Sequence, residues 1–271
     1  MSSKIRITIA GAAGRMGRML VSEVLADGEL ALAGALECAG NPFIGADAGQ
    51  LACGTASSVN ITDDPAVAFK DSDSAIVFTA NTDAVRLAEL AVAQGLTVVI
   101  GSTGLTAADQ ARLDKLAASG ARIVQSPNMS IGVNLLFALC RQVAPLLGDG
   151  YDIEVVEMHH NQKKDAPSGT AVRLGEILAE ARGLDYATAV RHGRSGLVGA
   201  RTKNEIGMHA LRGGDVVGDH TVVFATAGER VELTHKASSR QTFAKGALRA
   251  AKFLATAAPG RYDMQDVLGL K

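Results

Sequence analysis

The densest concentration of reactive side chains in this 271-residue chain is the run His159-His160-Asn161-Gln162-Lys163-Lys164-Asp165-Ala166-Pro167-Ser168-Gly169-Thr170-Ala171. Two histidines and two lysines fall within six residues, directly after an apolar strand pattern, in a chain whose net charge is only −1. Any one of them alone would be an ordinary solvated residue. Together they suit an anion, and both residue types can also move protons near neutral pH. Ser168-Gly169-Thr170 then opens a helical pattern, whose free N–H groups and dipole favour a carboxylate. Basic side chains on one side and a helix N-terminus on the other would clamp a small dicarboxylate. The plainer alternative from these local features is an N-cap at Ser168 or Thr170 beside a basic surface loop.

A second constellation is Gly11-Ala12-Ala13-Gly14-Arg15-Met16-Gly17, where a β-rich run hands over to a helical one. Its glycines permit a tight turn and close approach of the backbone to a pyrophosphate resting on the helix N-terminus. The spacing G-x-x-G-x-x-G is a variant of the dinucleotide fingerprint, with Ala13 in the usual middle-glycine position. Glu37 falls twenty residues after Gly17 at the end of the next strand pattern, where a carboxylate would accept from the adenosine ribose hydroxyls. Cys38 follows, where an NADP-preferring site often carries Arg or Lys. NADH is therefore expected to serve at least as well as NADPH, with Arg15 or Arg18 as the nearby source of any missing charge. Gly101-Ser102-Thr103-Gly104 and Ser126-Pro127-Asn128-Met129 follow two further strand patterns. They offer small residues and backbone amides to the nicotinamide and its ribose, although either alone reads as an ordinary turn.

Repeated β-α-β units position the glycine loop. Strands are expected at 5–10, 30–37, 73–79, 97–100 and 122–124, with helices near 15–26, 82–94 and 106–118. Units of this size imply a Rossmann-like, doubly wound parallel sheet with helices on both faces. After Pro127 the character changes. Helices near 131–146 and 169–182 flank a strand at 151–158, and the Gly-, Arg- and His-rich stretch 191–204 reads as loop. Strands at 205–212, 219–227 and 230–237 follow, the last two joined by a hairpin turn at Ala227-Gly228-Glu229. These imply a second α+β domain carrying a mixed or antiparallel sheet. A final helix near 241–256 fits either domain by pattern alone.

Composition narrows the function further. Apolar residues are 47%, charged residues 20% and aromatic residues 4%, with no Trp, so the interior must be aliphatic. The near-zero net charge offers nothing to nucleic acid or an anionic membrane. Cys38, Cys53 and Cys140 are too few and scattered for a disulfide framework or a zinc site, and no metal is expected. Cys140 sits among Leu135, Leu136, Leu139 and Val143 and reads as core, not nucleophile. No signal peptide is visible at Met1-Ser2-Ser3-Lys4, and the apolar runs read as too short to span a bilayer. A cytoplasmic location is the expectation.

The run Glu157-x-His159-His160-x-x-Lys163-x-Asp165-Ala166-Pro167-Ser168-Gly169-Thr170-Ala171 resembles the signature of the dihydrodipicolinate reductases. Gly11-x-x-Gly14-Arg15-Met16-Gly17, Gly101-x-Thr103-Gly104, Asn128-x-Ser130-x-Gly132-Val133-Asn134 and His235-Lys236-Ala237-x-Ser239-Arg240 are similar to that family's motifs, in the same order. Cys38 is the main departure. The resemblance implies hydride transfer from NAD(P)H to an unsaturated dipicolinate-type ring, with loss of water from the 4-hydroxy form, on the way to diaminopimelate and lysine. It places His159 and Lys163 at proton-donor positions, and His160, Gly169 and Thr170 on the substrate carboxylates. It further implies a dinucleotide domain of residues 1–129 plus 241–271 and a substrate domain of 130–240 whose sheet builds a homotetramer. Two chain crossings between the domains would make a hinge.

Two other readings share parts of this pattern. An aspartate-type amino-acid dehydrogenase would use the glycine loop and a histidine but leaves Asp165-Ala166-Pro167-Ser168-Gly169-Thr170 unexplained. A non-catalytic nicotinamide-binding redox sensor would not need the His-Lys cluster.

Overall fold

The computed structural model describes residues 3–271, with the side chains of Asn81 and Thr82 excepted. The expectation about a signal peptide, so far as it concerns Met1 and Ser2, lies outside the described residues. The chain divides into two compact units, Met1–Ile131 with Arg240–Lys271, and Gly132–Ser239.

The first unit opens with β1 (Ile5–Ala10), α1 (Arg15–Ala26) and β2 (Leu30–Leu36). It continues through α2 (Ala48–Cys53), β3 (Ile61–Thr62), α3 (Pro65–Phe69), β4 (Ser74–Val77) and α4 (Asn81–Ala93). β5 (Thr97–Ile100), α5 (Ala107–Ala118) and β6 (Arg122–Gln125) complete this run. Local chemistry starts the helices. Thr106 and Asp109 form a capping box on α5, and Asp64 caps α3 with Pro65 in its first turn. Strand residues alternate between two buried clusters: Ile76, Val99 and Val124 join one, Ala75, Val77, Val98, Ile100 and Ile123 the other. A strand buried on both faces is what a doubly wound sheet requires.

In the second unit, α6 (Ile131–Leu147) leads to β7 (Asp152–His159), α7 (Gly169–Ala181) and a short α8 (Tyr186–Ala189). β8 (Val190–His192), β9 (Ile206–Arg212), β10 (Gly218–Thr226) and β11 (Glu229–Ala237) follow. The sheet order is β11-β10-β7-β9-β8. β7 runs antiparallel to β10 and parallel to β9, so the sheet is mixed. β9 and β10 are consecutive in sequence yet not neighbours, because β7 lies between them. The stretch 191–204 is not all loop: its start belongs to the edge strand β8, and Arg194 and Arg201 tie the remainder to Glu154 at 2.7 and 2.9 Å. Those guanidiniums and His209 outweigh burial and hold the Glu154 carboxyl down to about 2. Ile153 and Val155 of β7, Val222 and Phe224 of β10 and the inner faces of α6 and α7 form one core. Cys140 is fully buried in it, and burial pushes its thiol up to about 12. Ile131–Gly150 is long and apolar enough by composition to cross a membrane, which corrects the expectation that no apolar run reaches that length. Its Val133, Leu136, Phe137 and Cys140 are core residues of this unit.

The chain then rejoins the first unit with α9 (Gln241–Leu254), β12 (Gly260–Tyr262) and α10 (Met264–Leu268). α9 lays Ala244, Ala247, Ala250, Ala251 and Leu254 into the cluster that holds Leu20, Val21 and Val24 of α1. β12 adds to the edge of the parallel sheet, whose order is β12-β6-β5-β4-β1-β2-β3.

Candidate functional site

In the first unit the glycine loop joins β1 to α1 against the ends of β2 and β4. Gly11 has φ +86°, and a Cβ there would meet the Phe78 carbonyl at 2.4 Å. A Cβ at Gly17 would lie 2.0 Å from the Gly11 carbonyl. Glycine at both positions lets the loop fold onto the first turn of α1. The amides of Gly11 and Ala12 donate to the Leu36 carbonyl at 2.8 and 3.0 Å, and the Ala13 amide donates to Glu37 Oε2 at 3.0 Å. No side chain caps α1. Its N-terminal amides point at the loop, the arrangement that receives a phosphate.

A cavity of about 580 Å³ opens beside this loop, lined among others by Gly11, Gly14, Glu37, Cys38, Asp63 and Arg86. Arg86 is paired with Asp83 at 3.4 Å. Arg18 is held at the loop, its Nε donating to the Ala13 carbonyl at 2.8 Å and its guanidinium lying 4.8 Å over the Phe43 ring. Of the residues expected to bind cofactor, Gly11, Gly14 and Glu37 line the cavity. Ala12 and Ala13 are buried behind it, while Arg15 is exposed and Met16 half-buried. The other two loops follow β5 and β6, at the same carboxyl edge of the parallel sheet but outside the cavity lining. Ser102 is buried and clips Thr79, donating to its carbonyl at 2.8 Å, while Gly101 makes room for the Phe78 ring and Thr103 is exposed. Ser126 donates to the Asn128 carbonyl at 3.0 Å, Pro127 is exposed, and Met129 is a core residue.

The second unit carries the polar cluster on the core face of its sheet. Buried positions on β7 alternate as Ile153, Val155, Glu157 and His159; on β10 they are Gly218, His220, Val222 and Phe224. Glu157 and His220 are register partners, so the apolar face turns polar at the end where α7 begins. His159 Nδ1 and Glu157 Oε2 share a hydrogen bond of 2.7 Å. Arg212, at the end of β9, donates to both Glu157 oxygens at 2.8 and 2.9 Å, and the Ser168 amide donates at 3.0 Å. Burial opposes ionisation of Glu157, but Arg212, His159 and that amide outweigh it and hold the carboxyl below its ordinary range. Burial drives His159 below its ordinary value, with Glu157 opposing, so the free ring is mainly neutral at pH 7.

Ser168 caps α7 by accepting from the Ala171 amide at 3.2 Å, and its hydroxyl also hydrogen-bonds His220 Nε2 at 3.0 Å. The His220 ring stands edge-on to His159, 5.2 Å between centroids, and burial pushes it down to about 3. Gly169 and Thr170 form the first turn of α7. Lys163 is mostly buried and donates to Asp165 at 3.0 Å. The His160 amide donates to the Val216 carbonyl at 2.7 Å, and its buried Nδ1 has no hydrogen-bond partner among the described residues. Sequence reasoning gave no role to Arg212, His220 or Glu157. His220 had a signal, a polar residue in the apolar phase of an alternating strand; Arg212 had none. Among the described residues no group of three or more His, Cys, Asp or Glu could hold a metal.

Comparison with known proteins finds two family matches in order: "Dihydrodipicolinate reductase, N-terminus" over residues 5–129 and "Dihydrodipicolinate reductase, C-terminus" over 132–268. A 4-hydroxy-tetrahydrodipicolinate reductase of Anaeromyxobacter dehalogenans is 53% identical over 266 residues, covering 98% of each chain. The protein of that name from Syntrophotalea carbinolica is 51% identical over 268 residues, 98% of this chain and all of the relative. Among solved structures, the dipicolinate-bound dihydrodipicolinate reductase of Paenisporosarcina sp. TG-14 superposes with a TM-score of 0.76 at 23% identity, covering 97% of this chain and 98% of the other.

Proposed function

The chain belongs to the dihydrodipicolinate reductase family and reduces 4-hydroxy-tetrahydrodipicolinate with a nicotinamide cofactor; from this premise we propose how its own residues do so. Gly11, Gly14 and the first turn of α1 hold the pyrophosphate, a reading supported by glycines whose missing Cβ atoms leave the loop closed on the helix. When bound, the cofactor supplies the hydride. Gly101–Thr103 and Ser126–Met129 follow the neighbouring strands at the same carboxyl edge, where ligands of such sheets bind.

His159 and Lys163 supply the proton that must accompany hydride, and His160, Gly169 and Thr170 hold the two carboxylates. The observation that carries this is the buried Glu157, His159 and Ser168 meeting at the N-terminus of α7, beside Lys163. A dianion arriving next to His159 adds negative charge and raises its proton affinity. Burial favours the neutral ring before substrate binds and the dianion favours its protonation afterwards, which couples proton loading to substrate. Water is lost from the ring before reduction, and the positive charges of the loop stabilise electron density that builds up afterwards.

NADH serves at least as well as NADPH. Glu37, Asp63 and Asp83 line the cavity, and Arg86 is the one cation among its described lining residues. A 2′-phosphate near one carboxylate at about 4 Å costs about 1 to 4 kcal/mol, depending on solvent exposure, which is about fivefold to several hundredfold in affinity. The active form is a homotetramer built on the second unit's sheet, a reading supported by the exposed outer edge strand β11. NADH and NADPH oxidation, with substrate supplied by a synthase acting on pyruvate and aspartate semialdehyde, tests the scheme. Turnover with both, and no tenfold preference for NADPH, is expected. No turnover despite NADH binding would remove it.

A further inference from the structure

We infer that Arg212 and Glu157 are positioning residues that fix the tautomer of His159 and brace Lys163. The inference deepens the proposed proton-donor role of His159 and rests on it for its kinetic consequences. Glu157 is completely buried and meets four donors: the two Arg212 guanidinium nitrogens, the Ser168 amide and His159. A carboxylate so served is ionised, and an ionised carboxylate only accepts. The nitrogen facing it, Nδ1, must therefore carry the hydrogen. Neutral His159 is then the Nδ1–H tautomer, and any proton it gives or takes passes through Nε2. That nitrogen looks towards Gly218, where a Cβ would lie 3.0 Å away; the absent side chain keeps its approach clear.

Arg212 acts a second time. The nitrogen that donates to Glu157 Oε1 also donates to the Asp165 carbonyl at 2.7 Å, and the Asp165 carboxylate receives Lys163. One guanidinium therefore links both proton-transfer residues, and β7–β9 pairing sets His159 directly opposite Arg212. The charged and titratable groups facing His159 are Glu157 on its own strand, Arg212 on β9, His220 on β10 and Lys163 in the following loop. Only Glu157 among them favours the imidazolium.

A buried Glu–Arg pair can also be purely architectural, in which case its loss lowers stability and nothing else. The full-length variants Glu157→Gln and Arg212→Lys separate the two roles. Expected for Glu157→Gln is a fall in kcat of about 30-fold or more, with KM within about threefold, since positioned acids contribute factors of this order. The alkaline limb of the kcat–pH profile, where protonated His159 is required, moves about one unit to lower pH. Nitrogen-15 histidine spectra of the wild type show Nδ1–H for His159, and the variant loses that preference. Arg212→Lys keeps one charged donor but not the two-pronged grip, and falls between. Variants with lower thermal stability but unchanged kcat, pH limb and tautomer would overturn the inference. If Glu157→Gln does not fold, a wild-type spectrum with Nε2–H and a bare Nδ1 overturns it directly. A tautomer shift in Glu157→Gln alongside full turnover in His159→Gln would uphold the positioning and remove His159 as donor.

Discussion

Glu37 and Ala13, well separated in sequence, are joined by a 3.0 Å hydrogen bond from the Ala13 amide to the Glu37 carboxylate. The other carboxylate oxygen accepts from the Cys38 amide at 3.0 Å, so the acid is anchored before any ribose approaches. This bond ties the expected diol-binding residue to the loop expected to hold the pyrophosphate. Glu37→Ala is expected to raise KM for NADH about tenfold, the loss of a charge-assisted hydrogen bond worth about 1.5 kcal/mol or more. Cys38→Arg is expected to raise kcat/KM for NADPH about tenfold while leaving NADH within a few-fold. An unchanged cofactor ratio in both variants would remove Glu37 and Cys38 as determinants.

Gly17→Ala tests the loop sterically. Its Cβ would meet the Gly11 carbonyl at 2.0 Å and the Ala12 backbone at 2.7 Å, so the loop must move off the helix. NADH affinity should fall about tenfold or more with the circular dichroism spectrum retained. Wild-type affinity would mean that the loop does not need this closure.

His159→Gln should lose about 100-fold in kcat with little change in KM, the pattern of a group used in the transition state. Lys163→Ala should lose both turnover and substrate affinity, because its charge also attracts the dianion. Steady-state kinetics with saturating NADH distinguishes the two, and near-normal values for both would sink the assignments.

His220 makes an acid-stability test. Burial, and after it His159, pushes the ring down to about 3, from the ordinary 6.5 that it recovers on unfolding. A depressed base contributes stability that is fully present above the unfolded value and lost as pH falls towards the folded one. Between pH 6.5 and 3 the unfolded chain takes up a proton that the folded chain refuses, worth a few kcal/mol in all at about 1.4 per unit. Thermal unfolding from pH 7 to pH 4 should show a steep loss that is shallower in His220→Asn. Parallel slopes would contradict the burial argument.

Thiol chemistry checks the same physics. Cys38 and Cys53 are exposed, whereas Cys140 is buried with its thiol pushed up to about 12. Iodoacetamide should label the first two and spare the third. Cys38 lines the cavity proposed for the cofactor, so NADH should slow its labelling and leave Cys53 unaffected. Protection of Cys53 instead would move the ribose end elsewhere.

What the sequence determined by itself was local and periodic. The Gly11–Gly17 loop, Glu37 at a strand end, and the 159–171 run with Ser168 opening a helix all depend on short-range geometry, which spacing reveals. Pattern located the longer strands, and alternation put Val231, Leu233 and His235 on one side. Short elements escaped because α2, α3, β3, β8 and β12 offer only a few residues each, too few for a period to register.

Only the tertiary structure decided which strands are neighbours. Period-two patterning assigns a residue to a face and says nothing about what pairs beside it. β7 inserts between β9 and β10, which brings Arg212 from one side and His220 from the other onto Glu157 and His159. A buried carboxylate must find its donors wherever the ladder delivers them. Glu157, unremarkable within its motif, is thereby the residue on which the second unit's polar cluster converges.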